Sequence, residues 1–264
     1  MPEGHTIHRA ARDQRRGFVG VPLRVSSPQG RFVDGAAILN GQRLTGIGAY
    51  GKHLFYEWEQ GELLHVHLGL FGKFRQSVGT DVEARGAIRL RLTSPDTTLD
   101  LRGPTACELI DPAARERLMA RLGPDPLQTD VDPEPFFARA RRSRVAIGTL
   151  LLDQSAIAGV GNVFRAEALF VCGIAPEVES RTLSEVQLTE LWETVVEMLR
   201  AGVRSGRIVT VDPAEVGRPR SKMRRGERTY VYRRATCLRC GAGVARTELA
   251  ARNMFACPTC QPRL

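Results

Sequence analysis

Apolar residues follow two different spacings along this chain, and the change falls in a proline-rich stretch near its middle. On the N-terminal side, residues 4–19 read as an amphipathic helix, with Ile7, Ala10, Ala11 and Phe18 on one face and His8, Arg9, Arg12, Asp13 and Arg15 on the other. Short alternating runs follow at 43–47, 52–58, 63–68, 86–92 and 98–101. They are separated by Gly, Asp or Pro, which predicts antiparallel strands of a sandwich or barrel. The run Ala87-Ile88-Arg89-Leu90-Arg91-Leu92 alternates most cleanly, so one face of that strand is expected to be buried and the other to carry arginine.

Pro124, Pro126, Pro133 and Pro135, together with Asp125, Asp130 and Asp132, can neither continue a helix nor join a central strand. They predict an interdomain linker. Beyond it the apolar spacing becomes helical at 135–142, 145–153, 163–171 and 183–203, the last with Leu183, Leu188, Leu191, Val195, Met198 and Leu199 as core positions. No repeat of fixed period is visible. The pattern predicts an α+β multidomain chain: an N-terminal domain at 1–122, a linker at 123–135, a helical domain at 136–229 and a cysteine module at 230–264.

Composition narrows the class. With 264 residues, 42% of them hydrophobic, the chain can bury a sizeable core, and no apolar run is long enough to span a membrane. No charged segment followed by an apolar one opens the chain, so no signal peptide is expected. Cys107 and Cys172 stand alone and the other cysteines form two CxxC pairs, which suits a reducing, cytoplasmic compartment better than a disulfide framework. A net charge of +9 points to a polyanionic partner, although many basic proteins bind no nucleic acid. Residues 204–229 are polar, and from Arg218 to Arg239 there are nine basic residues against one acidic residue, Glu227. A solvated loop and a DNA-facing strip are both open, and the two are compatible.

Three motifs carry chemistry. The chain starts Met1-Pro2-Glu3-Gly4, and removal of Met1 makes Pro2 a free secondary amine beside a carboxylate. Attack by such an amine on a sugar C1′ leaves an iminium ion with no N–H proton to lose, a fixed electron sink. At the other end, Cys237-x-x-Cys240 and Cys257-x-x-Cys260 are sixteen residues apart, the spacing of a closed, structural four-thiolate zinc site with one Zn2+ per chain. Chance CxxC pairs or a redox pair are the alternatives. A hairpin between the knuckles is expected to present Ala251-Arg252-Asn253 at its tip. Thirdly, residues 154–162 place Gly159 and Gly161 before Asn162, a good N-cap for a helix whose free N–H groups suit a phosphate. An ordinary glycine turn between helices reads the same way.

In combination the chain resembles the formamidopyrimidine-DNA glycosylase and endonuclease VIII family of base-excision repair enzymes. The likeness rests on the Met-Pro-Glu-Gly start, Gly51-Lys52-His53-Leu54 on a strand, His67-Leu68-Gly69-Leu70-Phe71-Gly72, the segment from Leu151 to Asn162, and the terminal cysteines. It implies an N-terminal β-sandwich with a flanking helix, a C-terminal helical domain with a helix-two-turn-helix motif, and a four-cysteine zinc ribbon. It also implies a monomeric DNA glycosylase and AP lyase acting on damaged double-stranded DNA.

Site roles follow from the same resemblance. Pro2 is the nucleophile and Glu3 the proton shuttle; Lys52 touches phosphate and assists elimination; Asn162 and Arg252 grip phosphates; Arg121 is a further DNA contact. Leu70, helped by Phe71, is the wedge that fills the hole left by an extruded nucleotide. Three departures from the formamidopyrimidine branch imply the endonuclease VIII branch and oxidised pyrimidines as preferred lesions. No aromatic residue lies around Gly103, Gly148 stands where that branch has a lysine, and the 204–228 loop is unlike its purine-covering loop. A formamidopyrimidine-type enzyme and a DNA-binding protein without catalysis are the alternatives.

Overall fold

Ile7, Ala11 and Phe18 line the buried side of α1 (Gly4–Phe18), which packs on a β-sandwich. In the computed structural model, which describes residues 2–262, the chain divides into two compact units, one ending at Ala120 and the other beginning at Arg121. The first unit contains two four-stranded antiparallel sheets. One has the order β1-β6-β7-β5, from β1 (Arg24–Ser26), β5 (Lys73–Val78), β6 (Ile88–Thr93) and β7 (Thr97–Arg102). The other has the order β2-β3-β4-β8, from β2 (Leu44–Tyr50), β3 (His53–Trp58), β4 (Leu63–His67) and β8 (Ala106–Ile110). Leu90, Leu92, Leu99 and Leu101 from one sheet meet Leu54, Tyr56, Leu64 and Val66 from the other in a single core. Two short helices complete the unit, α2 (Val33–Leu39) and α3 (Pro112–Met119), the latter capped by the Asp111 carboxylate.

Polar contacts fix α1 on the sandwich. The buried Tyr56 hydroxyl donates to Gln14 Oε1 at 2.7 Å, and Arg15 Nε donates to the Ile47 carbonyl at 2.6 Å. The polar face of β6 is less open than its alternation suggests. Arg91 sits opposite Asp100 of β7 and binds both carboxylate oxygens, at 2.7 and 2.9 Å, with Asp100 itself buried. β5 has no buried side, since its residues are exposed or half-exposed throughout, so no apolar pattern marks it. Its register against β7 comes from backbone pairing.

The second unit is helical with a terminal hairpin: α4 (Glu134–Arg142), α5 (Ile147–Leu150), α6 (Asn162–Val171), α7 (Glu185–Ser205) and α8 (Pro213–Val216), then β9 (Ala245–Leu249) paired with β10 (Arg252–Ala256). α7 begins two residues later than its apolar pattern, because Ser184 and Gln187 form a reciprocal capping box. Leu188, Leu191, Val195 and Leu199 face Phe136, Ile157, Phe164 and Leu169 in its core. Among the described residues no helix is long and apolar enough to cross a membrane.

Two segments differ from their sequence reading. In the stretch read as a linker, Gly123, Pro124, Asp125 and Pro126 are buried. Gly123 N–H donates to the Gln154 carbonyl and Ala158 N–H to the Pro124 carbonyl, so this part is built into the second unit. Prolines stop regular structure there without preventing packing. The polar segment 204–229 is likewise anchored: Val209, Val211 and Met223 are buried, and Thr210 reaches into the core.

That anchor is Glu167 on α6, with no exposed surface. Its carboxylate accepts from the Thr210 hydroxyl at 2.5 Å, from Tyr230 N–H at 2.7 Å, and from the N–H groups of Val231 and Tyr232 at 3.0 and 2.8 Å. Burial raises its pKa, and these donors oppose the rise. Glu167→Ala strands those donors in the core and is expected to lower the stability of the second unit by ~3 kcal/mol or more. The measurement is a thermal melt together with hydrogen exchange at residues 230–232, where unchanged protection would contradict the assignment.

Candidate active site and nucleic-acid interface

The residues singled out from sequence fall on both units, and each unit assembles part of the set. In the first, Pro2 precedes α1, and Glu3 occupies the N-cap position in extended conformation, fully buried, with its carbonyl accepting from Thr6 N–H at 2.9 Å. Its side chain does not cap the helix. Met1, whose removal would free the Pro2 amine, lies outside the described residues. Pro2 borders an open cavity of about 570 Å3, lined also by Thr6, Arg9, Asp13, Leu70 and Lys73. The structure therefore brings Pro2 and Leu70 to one cavity.

Leu70 and Phe71 lie in the turn between β4 and β5 and are 46% and 84% exposed, so neither is a core residue. An exposed apolar side chain is common on protein surfaces, so the exposure alone assigns no role. The turn is closely backed by its neighbour. Gly69 has φ +63°, and a Cβ on it would collide with the Thr105 hydroxyl. The turn after β7, which carries Gly103, thus backs the turn that carries the two apolar side chains.

Lys52 is not on a strand. The register pairs Tyr50 directly with His53, leaving Gly51 and Lys52 as the two-residue turn of the β2–β3 hairpin. Its charge nonetheless reaches the sheet, where it disfavours protonation of His67.

In the second unit, Asn162 is the first residue of α6 and Gly161 its N-cap, so the asparagine is not the cap that its type suggests. The Asn162 side chain works elsewhere. Buried at its helix end, it donates from Nδ2 to the Asn253 carbonyl at 2.9 Å, tying α6 to the strand that begins at Arg252. The tip of the hairpin is Ala250-Ala251, both with positive φ, and exposed Arg252 is the first residue of the returning strand. Arg121, also exposed, stands two residues before Gly123, which is pinned to the 154–162 loop. That loop is braced by Gln154, whose amide donates to the Leu152 and Val160 carbonyls and accepts from Gly159 N–H.

Sequence reasoning overlooked Arg165. It is fully buried and donates from Nη1 to the Gly148 carbonyl at 2.9 Å and to the Leu249 carbonyl at 3.3 Å, so α6 holds both α5 and the β9 end of the hairpin. Two charged residues, Arg165 and Glu167, inside the otherwise apolar run of α6 were the available signal. Gly148 lies in the same packing: a Cβ there would lie 2.8 Å from Leu249 Cδ2 and 3.0 Å from the Pro176 carbonyl, so a side chain at this position would require its neighbours to shift.

The four cysteines converge. Among the described residues, Cys237, Cys240, Cys257 and Cys260 form the one group whose donor atoms could together hold a metal ion, all within 4.8 Å of one another. The Cys237–Cys260 and Cys240–Cys257 sulfur distances are 4.0 and 3.5 Å. A tetrahedral ion with Zn–S bonds needs sulfurs about 3.8 Å apart, so the donor set suits such an ion. The Ala242 N–H and neighbouring thiols bring the Cys240 pKa down to about 7, while burial raises that of Cys237.

The chain matches the family descriptions "Formamidopyrimidine-DNA glycosylase N-terminal domain" over residues 1–107 and "Formamidopyrimidine-DNA glycosylase H2TH domain" over residues 122–213. It is similar to Endonuclease 8 1 of Mycobacterium tuberculosis, at 45% identity over 99% of this chain and 100% of the relative. A formamidopyrimidine-DNA glycosylase of Thermomicrobium roseum is 31% identical over 99% of this chain and 98% of its own length. Among solved structures, Lactococcus lactis Fpg (MutM) with DNA containing N7-benzyl-Fapy-dG aligns with a TM-score of 0.82 at 26% identity, covering 99% of this chain and 100% of that one. The same protein with DNA containing an oxidized pyrimidine aligns at 0.83 and 26%, with the same coverage. A β-sandwich and helical unit, a four-cysteine cluster and a full-length likeness at this level lead to one conclusion: the chain belongs to the formamidopyrimidine-DNA glycosylase and endonuclease 8 family.

Proposed function

We propose that this protein is a bifunctional DNA glycosylase and AP lyase that removes oxidised bases from double-stranded DNA in the cytoplasm, with pyrimidine lesions preferred. The observation that carries this reading is the placement of Pro2, ahead of buried Glu3, at a cavity it shares with the exposed Leu70 turn. With Met1 removed, the Pro2 nitrogen attacks C1′ of an extruded nucleotide and the damaged base departs. Glu3 delivers a proton to the deoxyribose ring oxygen as the ring opens. The iminium then draws electrons from C2′: a C2′ proton is lost, the C3′–O bond breaks and the 3′ phosphate leaves. A δ-elimination at C5′ follows by the same logic. Lys52 assists these proton transfers; Arg252, Asn162 and Arg121 hold the DNA backbone; Leu70 and Phe71 fill the gap in the stack. Zn2+ held by the cysteines has a structural role, keeping the hairpin root closed so that Arg252 is presented.

The lesion preference draws support from three places. The turn at Gly103 carries no aromatic residue, and exposed Phe71 beside it is the ring available as a wedge. Gly148 offers no side chain to meet DNA, and its neighbours crowd the space that a Cβ would take. Ring-saturated pyrimidines stack poorly and are easier to extrude.

Borohydride should reduce the iminium to a stable protein–DNA adduct that mass spectrometry maps to Pro2, and retention of Met1 should abolish it. Trapping that survives with Met1 intact, or maps to Lys52, removes Pro2 as the nucleophile. In single-turnover assays, duplexes carrying thymine glycol, 5-hydroxyuracil or dihydrouracil should be cleaved faster than 8-oxoguanine opposite cytosine; the reverse order assigns the chain to the purine-directed branch. Cys240→Ser or Cys257→Ser should release the zinc and weaken DNA binding while the first unit stays folded. Arg252→Ala should keep the metal and reduce the salt slope of binding by about 1, as for one lost phosphate contact.

A further inference from the structure

A cavity of about 700 Å3 in the second unit holds four arginines that the roles above leave unused. Arg225, Arg228, Arg233 and Arg234 line it, together with Tyr232 and with Val163 near the start of α6. No carboxylate lines it, and among the described residues none of the four arginines pairs with one. Glu227, the acidic residue of this segment, has other partners: it pairs with Arg218 at 3.3 Å and accepts from Arg224 N–H at 2.8 Å. Two of the arginines are fastened to backbone. Arg228 Nε donates to the Met223 carbonyl at 3.3 Å, and Arg234 donates to the Thr236 carbonyl at 3.1 Å and to that of Gly226. Arg225 and Arg233 are exposed.

Arg233 also carries backbone strain. Arg234 N–H donates to the Val231 carbonyl at 3.1 Å, which closes a turn whose third residue, Arg233, has φ +56°. Glycine or asparagine ordinarily fills such a position, because a side chain there crowds the backbone. The turn is held from both sides: Glu167 accepts from the N–H groups of residues 230–232, and Cys237 begins the first knuckle shortly after. The Tyr232 ring packs edge-on against Phe255 of β10, with centroids 5.2 Å apart, and the Arg233 guanidinium stands 5.6 Å over the Tyr232 centroid. Strain of this kind persists only where the surroundings over-determine it. Glycine would satisfy the turn; arginine adds a charge to a cavity that already holds three.

We propose that this cavity is a phosphate site for DNA, with Arg225 and Arg233 as the contacting side chains, and that the strain at Arg233 is retained for that contact. This rests on the reading that the chain binds damaged duplex DNA. Asn162 and Arg252 do not line the cavity, so the contact is additional to theirs. Four guanidinium groups without a counter-charge repel one another, and a phosphate relieves that repulsion while accepting charge-assisted hydrogen bonds. Arg228 and Arg234, tied to backbone carbonyls, keep their charges at the cavity wall while the two exposed arginines close on the anion. A contact to the DNA backbone reads neither sequence nor lesion, so it strengthens binding to damaged and undamaged duplexes alike.

The test is equilibrium binding to a duplex with a tetrahydrofuran abasic-site analogue and to the undamaged duplex of the same sequence, over a series of salt concentrations, with a thermal melt of each variant. Arg233→Gly should melt at or above the temperature of the unaltered protein, because glycine accepts the positive φ. It should nonetheless bind both duplexes about fivefold more weakly at about 0.15 M salt, with the salt slope reduced by about 1. Arg225→Gln should weaken binding to the same extent, the double variant should lose about 2 from the slope, and Arg233→Lys should keep it. Unchanged affinity and salt slope in Arg233→Gly and Arg225→Gln, or a loss confined to the abasic duplex, overturns the phosphate site. A lower melting temperature in Arg233→Gly overturns the claim that strain is held there for binding. Failure of the unaltered protein to bind either duplex would instead remove the DNA-repair reading on which the proposal rests.

Discussion

A carboxylate without exposed surface, Glu167, holds the C-terminal part of this chain together by accepting hydrogen bonds from Thr210 and from three successive backbone N–H groups at residues 230–232. Those residues lead directly into the first cysteine knuckle. Two residues earlier on the same helix, Arg165 binds the carbonyls of Gly148 and Leu249, and at the head of the helix Asn162 binds the carbonyl of Asn253. One ten-residue helix therefore anchors the polar segment, the root of the ribbon and both strands of its hairpin. Burying such groups is costly, and removal of one partner leaves the rest stranded in the core. The arrangement ties the hairpin to α6 at both strands, which is the support that the phosphate contact proposed for Arg252 needs.

The N-terminal unit solves a different problem. The chemistry proposed for it sits at the start of α1, where a chain end would ordinarily fray. The buried face of α1, the Tyr56–Gln14 hydrogen bond and the Arg15–Ile47 contact hold that end against the sandwich. Pro2 thereby inherits the rigidity of the sheet. The same unit presents Leu70 and Phe71 on a turn whose Gly69 lies against Thr105 with no space for a Cβ between them. The outer face of the β2-β3-β4-β8 sheet holds the imidazoles of His53, His65 and His67.

Local patterning was enough for much of this. The apolar spacing of α1, α6 and α7, the short apolar runs that form β2, β3, β4, β6 and β7, and the CxxC spacing all reflect interactions between near neighbours, so they can be read from the residues alone. Edge strand β5 could not, since it buries no face and is specified only by its partner. Nor could the fate of Gly123, Pro124, Asp125 and Pro126: proline content marks where regular structure stops, and whether the stretch is then solvated or packed depends on distant residues such as Gln154.

Residue type likewise suggested Asn162 as a cap and Lys52 as a strand residue. The backbone made Gly161 the cap and put Lys52 in a two-residue turn, because cap position and register are settled by how elements pair. The amino-acid sequence by itself determined the motifs from which the proposed chemistry is read: a proline beside a glutamate, four cysteines at zinc spacing, and an excess of basic side chains. Only the tertiary structure decided how those residues are held. Convergence of four sulfurs, burial of Arg165 and Glu167, exposure of Phe71 and alignment of His53 with His65 and Glu108 are contacts between residues far apart in the chain, and no local preference encodes them.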